Sequence, residues 1–111
     1  MAKETVAGNP LQVFCTIDSE LGARELASSL VRDRHAACVQ VVGPVHSVYR
    51  WHGAVEEASE WLLLMKTSRS AFPSLREAVR AAHPYEMPEV VAVPIESGLP
   101  EYLSWIAEST T

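Results

Sequence analysis

The sequence predicts an α+β domain whose elements run strand, helix, strand, strand, helix, strand, with one further helix at the end. Three observations carry this. Two long runs rich in Val, Leu, Tyr and Trp flank a short break at His52-Gly53-Ala54, the pattern of a β-hairpin with Gly53 in its turn. Apolar residues fall at helical spacing in two places, at Ala23, Leu26, Ala27 and Leu30 and again at Phe72, Leu75, Val79 and Ala82. Short apolar runs at 11–17 and 89–95 lie outside those stripes and read as the outer strands.

Residues 1–10 read as a flexible N-terminal tail and residues 11–111 as a single domain, long enough for a modest core but not for a second one. After the first strand, Asp18 or Ser19 is placed to cap the first helix. Its charged residues Arg24, Glu25, Arg32 and Asp33 fall on other faces than the apolar stripe, and it ends near Arg34 and His35. The hairpin occupies 38–67, and each arm exceeds the usual strand of about 5–6 residues. Gly43-Pro44 interrupts the first arm, and a Pro cannot donate to a ladder, so a bulge or bend is expected there. So long a hairpin should project from a small domain and offer its edges to another chain. The second helix opens around Pro73, tolerated in a first turn where the backbone N–H has no partner, and Pro84 and Pro88 stop it. A turn at 96–98 leads into a last short helix over 99–108, carrying Tyr102, Leu103, Trp105 and Ile106.

This order is the split βαβ arrangement of ferredoxin-like sandwiches, βαββαβ with a C-terminal helix. Right-handed crossovers make the first and second strands parallel, and likewise the third and fourth. Residues 62–65 and 90–93 are apolar at consecutive positions, so both faces of those strands should be buried. Two helices cover one face. The last helix or a second copy of the chain must cover the other, and with the long hairpin this favours a homo-oligomer.

Charge and motifs narrow the function. The net charge is −5 with acids and bases interspersed, and no Lys/Arg cluster stands ready for a phosphate backbone, so no nucleic-acid partner is expected. The first ten residues carry neither an apolar signal core nor an Arg-rich amphipathic pattern, and no run is long enough for a membrane span. A cytoplasmic location is the default, with Cys15 and Cys38 as free thiols. There is no GxSxG, no Gly-rich phosphate loop and no HExxH, so nothing supports an enzyme.

The topology sorts side chains by end. Cys15 lies near the finish of the first strand, and Asp18 follows it. His83, Tyr85 and Glu86 return to the same end after the second helix, whereas Cys38 opens the second strand at the other. At about 3.3 Å per strand residue, the two cysteines should lie too far apart for a disulfide, which needs Cα atoms within about 7 Å. Cys38 reads as a small buried residue. Cys15 admits two readings, an apolar filler or a thiolate beside the His83 imidazole, and the second pairing suits copper or zinc. His83 likewise is either a helix C-terminal residue fixed by Pro84 or a ligand. Glu56, Glu57 and Glu60 read as a solvated edge, and Trp51 and Trp61 as a pair packed across the hairpin near its tip or against a neighbour. His35 and His46 receive no role.

Several segments together resemble the CutA family of divalent-cation tolerance proteins: Ala37-Cys38-Val39, Tyr49-Arg50-Trp51-His52-Gly53, Leu64-Met65-Lys66-Thr67, His83-Pro84-Tyr85-Glu86-Met87-Pro88-Glu89, Pro94-Ile95 and Tyr102-Leu103-Ser104-Trp105. The resemblance covers 13–106. It implies a ferredoxin-like subunit in a homotrimer, with binding of copper or other divalent metal ions and a role in the response to metal. Its copper ligands correspond to Cys15 and to His83, with Glu86 as a further candidate. Some members carry a second histidine where this chain has Ala82, so water, Asp18, Glu86 or another subunit would have to complete the site. Gln40 stands where Asn is usual. The alternative is a PII-like trimeric signalling module that binds a small effector between subunits, with Tyr85, Glu86 and a neighbour's Trp51 or His52 lining the cleft.

Overall fold

The computed structural model of the protein describes residues 8–111. Its elements are β1 (Pro10–Ile17), α1 (Glu20–Arg32), β2 (Cys38–Trp51), β3 (Ala54–Ser68), α2 (Phe72–Ala82), β4 (Val91–Pro94) and α3 (Pro100–Ser109). The sheet order is β2-β3-β1-β4, with every neighbouring pair antiparallel. β1 is therefore parallel to β2, and β3 to β4, as two right-handed crossovers require. This is the ferredoxin-like α+β arrangement. Of the expected N-terminal tail, residues 1–7 lie outside the described residues, and Pro10 already belongs to the sheet, opposite Ser68.

The local chemistry explains the boundaries. Ser19 caps α1 by accepting from the Gly22 N–H at 2.9 Å. Pro73 sits in the first turn of α2. The hairpin turn is His52-Gly53, both residues at positive φ (48° and 80°), a conformation that Gly adopts freely and that matches the twist of the two arms. The register slips between Val42 and Val45, at the expected Gly43-Pro44 irregularity. Gly43 is needed there for a second reason: a Cβ would overlap the Trp61 indole. Trp61 thus lies well down β3, opposite Ile17, while Trp51 is at the tip opposite Ala54. The two indoles do not pair across the tip, because the bulge gives Trp61 its own seat.

The molecule measures 50 × 32 × 22 Å with a radius of gyration of 15.0 Å. A compact chain of this length has about 13 Å, and the long hairpin is the visible cause of the excess. The core lies between one sheet face and two helices. Val13, Cys15, Ile17, Leu63 and Met65 pack there with Ala23, Leu26 and Leu30 of α1 and Leu75 and Val79 of α2. Each fully buried aliphatic side chain contributes about 1.5–3 kcal/mol.

The other face is left largely open by the chain's own elements. The register places Phe14 beside Leu64 and Val91, and Gln12 beside Lys66 and Val93. α3 covers only one end, where Leu103 and Ile106 meet Ala37 and Ile95. Leu62 and Leu64 are half-buried, and Val91 and Val93 remain 52% and 46% exposed. Burial of both faces, expected from the consecutive apolar runs, is not achieved within one chain, because α3 is too short to span the sheet.

Candidate functional site

β1 ends and α2 returns at the same end of the sheet, and their side chains meet at one backbone atom. Pro84 disfavours helical geometry at the residue before it, so His83 leaves α2 extended (φ −77°, ψ 138°). Its ring then folds back onto β1. Nε2–H donates to the Thr16 carbonyl at 2.8 Å, and Nδ1 accepts from the Tyr85 N–H at 3.1 Å. A carbonyl only accepts and an amide N–H only donates, so these partners fix a neutral ring with its proton on Nε2. The Cys15 thiol reaches the same Thr16 carbonyl from inside the core, at 3.7 Å.

This contact also explains why β4 is shorter than the 89–95 expected. β4 pairs with β1 only from Leu11 to Phe14. Beyond that point the Thr16 carbonyl is taken by an imidazole instead of a strand N–H, and residues 83–90 cross the end of the sheet without regular structure.

Tyr85 extends the network. Its ring packs edge-on against His83, centroids 4.6 Å apart, and its hydroxyl donates to Glu60 Oε2 at 2.7 Å. Glu60 is only 6% exposed. The expectation of a solvated carboxylate edge holds for Glu56 and Glu57 and fails for Glu60. Glu57 is exposed beside His46 at 2.7 Å, whereas Glu60 points to the sheet face shared with Leu62 and Leu64 and lies under Tyr85. Two-residue alternation along β3 puts this carboxylate at the end of an apolar stripe, and that was the signal available in the sequence.

The electrostatics follow. Burial above all, and then the Glu89 and Glu60 carboxylates, push the Cys15 thiol up to about 12. The Tyr85 hydroxyl is raised by burial first, then by its hydrogen bond to Glu60 and by the nearby acids. At neutral pH both groups keep their protons. A thiol becomes a good metal ligand only on losing its proton.

Of the residues singled out from the sequence, the fold brings Cys15 and His83 together at Thr16. Glu86 is exposed and has no hydrogen bond to either. Glu60 is the carboxylate that joins the network instead. Both cysteines are free, Cys15 buried and Cys38 half-buried at the other end of the sheet. Among the described residues, no three His, Cys, Asp or Glu side chains are grouped to hold an ion. Sulfur and imidazole nitrogen converging on one point suit a soft or borderline cation, but an ion must displace the thiol proton and break one of the two hydrogen bonds that hold the neutral imidazole. An open hollow of about 310 Å³ at the opposite end includes Arg34 and His35 in its lining. Arg34 is committed there to the carbonyls of Glu108 and Thr111, at 2.8 and 3.0 Å.

Known proteins resemble this chain along nearly its whole length. A family model described as CutA1 divalent ion tolerance protein matches residues 11–109. The divalent-cation tolerance protein CutA of Thermus thermophilus is 52% identical over 98 residues, 88% of this chain and 95% of that one. Protein CutA of Mus musculus is 44% identical over 105 residues, covering 95% of this chain and 59% of the mouse protein. A solved structure of the Thermus thermophilus divalent cation tolerance protein superposes with a TM-score of 0.90 at 50% identity, covering 92% of this chain and 99% of that one.

Proposed function

This chain belongs to the CutA1 divalent ion tolerance family, and we propose that it is a divalent-cation tolerance protein that assembles as a homotrimer. In this reading it binds copper or another divalent cation at the end of the subunit where β1 finishes. The observation that carries the binding site is the convergence of the Cys15 thiol and the His83 imidazole on the Thr16 carbonyl. The Glu60 and Glu89 carboxylates, whose field disfavours a thiolate, favour a cation in the same place. Glu86, on the adjoining loop, is the candidate third donor. Since Cys15 must give up a proton and His83 a hydrogen bond, the ion is an exchangeable cargo more than a fixed structural centre.

The uncovered sheet face supports the trimer. Val91 and Val93 are exposed beside half-buried Phe14, Leu62 and Leu64, and a neighbouring copy would remove this apolar strip from water.

The thiol sets the expected pH dependence. Below about 12 Cys15 is protonated, and each unit of rising pH increases the thiolate fraction tenfold. Binding therefore tightens as pH rises, by up to about tenfold per unit while only this proton is displaced. Calorimetric titration of the reduced protein with Cu(I) and Cu(II), beside Cys15→Ser and His83→Ala, tests the site. Each substitution is expected to weaken binding at least about tenfold, or ~1.4 kcal/mol. Equal affinity in all three proteins contradicts the site and brings forward an effector bound between subunits.

A further inference from the structure

We infer that Glu60 is a positioning residue for His83: through the Tyr85 hydroxyl it holds the 83–90 loop so that His83 keeps its proton on Nε2 and its ring closed onto Thr16. This rests on the cation-binding reading above and adds its control. The chain of contacts is continuous. Glu60 accepts from the Tyr85 hydroxyl at 2.7 Å, the Tyr85 N–H donates to His83 Nδ1 at 3.1 Å, and His83 Nε2–H donates to Thr16 at 2.8 Å.

Each link constrains the next. A cation can use His83 at Nδ1 only if the Tyr85 N–H withdraws. It can use Nε2 only if the ring proton moves to Nδ1, where it would face that same N–H. Either route requires Tyr85 to let go. Tyr85 is tethered by a hydrogen bond to a buried acceptor, and hydrogen bonds to charged groups are the stronger kind. Among the described residues Glu60 pairs with no Lys, Arg or His, and its carboxylate is hydrogen-bonded by the tyrosine hydroxyl alone. The latch opposes cation capture in the resting subunit, and releasing it makes His83 available.

Two substitutions loosen the latch to different degrees. Tyr85→Phe removes the hydroxyl and keeps the ring against His83. Glu60→Gln removes the charge and keeps an acceptor. In ¹⁵N-resolved NMR of the metal-free protein, wild type is expected to show the Nε2–H form of His83. Tyr85→Phe should populate the Nδ1–H form and bind Cu(II) about fivefold more tightly, the equivalent of one hydrogen bond. Glu60→Gln, which offers a weaker neutral acceptor, should fall between wild type and Tyr85→Phe in both readouts. A Tyr85→Phe protein with wild-type His83 signals and wild-type affinity overturns the latch, as does a Glu60→Gln protein that keeps both at wild-type values while Tyr85→Phe moves them. If no variant binds Cu(II) yet Tyr85→Phe shifts the ring proton, the cation reading fails and the positioning of His83 stands. If Cu(II) binding depends on His83 but ignores Tyr85→Phe in both readouts, the cation reading stands and the latch falls.

Discussion

The two faces of the sheet use the same kinds of residue and differ in what covers them. On the helix side, Val13, Cys15, Leu63 and Met65 are fully buried under α1 and α2. On the other side their neighbours one residue along, Phe14, Leu62 and Leu64, are only half-buried, and Val91 and Val93 stay open. Alternation decides which side chain goes where, but the helices decide whether it is dry. The covered face specifies the subunit, and the open one is where the proposed trimer would close.

That contrast can be broken from either side. A charge on the open face should have the larger effect. Val93→Asp places an unpaired carboxylate where the proposed trimer closes, at a cost of about 3–5 kcal/mol per interface. Sedimentation velocity at micromolar concentration is expected to show monomer in place of trimer, and a trimer of wild-type stability would contradict the assignment of that face. A cavity on the covered face comes next. Leu63→Ala should lower stability by about 2–5 kcal/mol per subunit in chemical denaturation, since neighbours on both sides prevent collapse. The smallest effect is expected on the hairpin beyond the bulge. Glu57→Gln removes the partner of His46 from an exposed pair and should change stability by less than about 0.5 kcal/mol. A larger loss there would mean that this surface is buried in the assembly.

Most of the fold was legible because it rests on local rules. The helical stripes, the Ser19 cap, the Gly53 turn and the Gly43-Pro44 irregularity each follow from a residue and its near neighbours. So does the extended exit at His83, which Pro84 dictates. The separation of Cys15 from Cys38 followed from topology and strand rise alone. What escaped depends on partners distant in sequence. Glu57 and Glu60 look alike in the chain, yet one is solvated and the other lies under a tyrosine 25 positions away. The length of β4 was misjudged for a similar reason, since a histidine side chain takes the carbonyl that a strand amide would have used. Trp61 was placed by its nearness to the turn, whereas its seat is set by the missing side chain of Gly43.

The site carries the same lesson. Cys15 and His83 were singled out by type and by end of the sheet, and the fold does bring them to one atom. Their protonation was not readable from the sequence. It depends on burial and on the Glu60 and Glu89 carboxylates for the thiol, and on two backbone partners for the imidazole.

X-ray absorption at the zinc edge of the reduced, zinc-loaded protein tests the central claim most directly. The account predicts one sulfur at about 2.3 Å and imidazole nitrogen at about 2.0–2.1 Å, with the sulfur shell lost in Cys15→Ser. A first shell of oxygen and nitrogen alone, unchanged by that substitution, would contradict it.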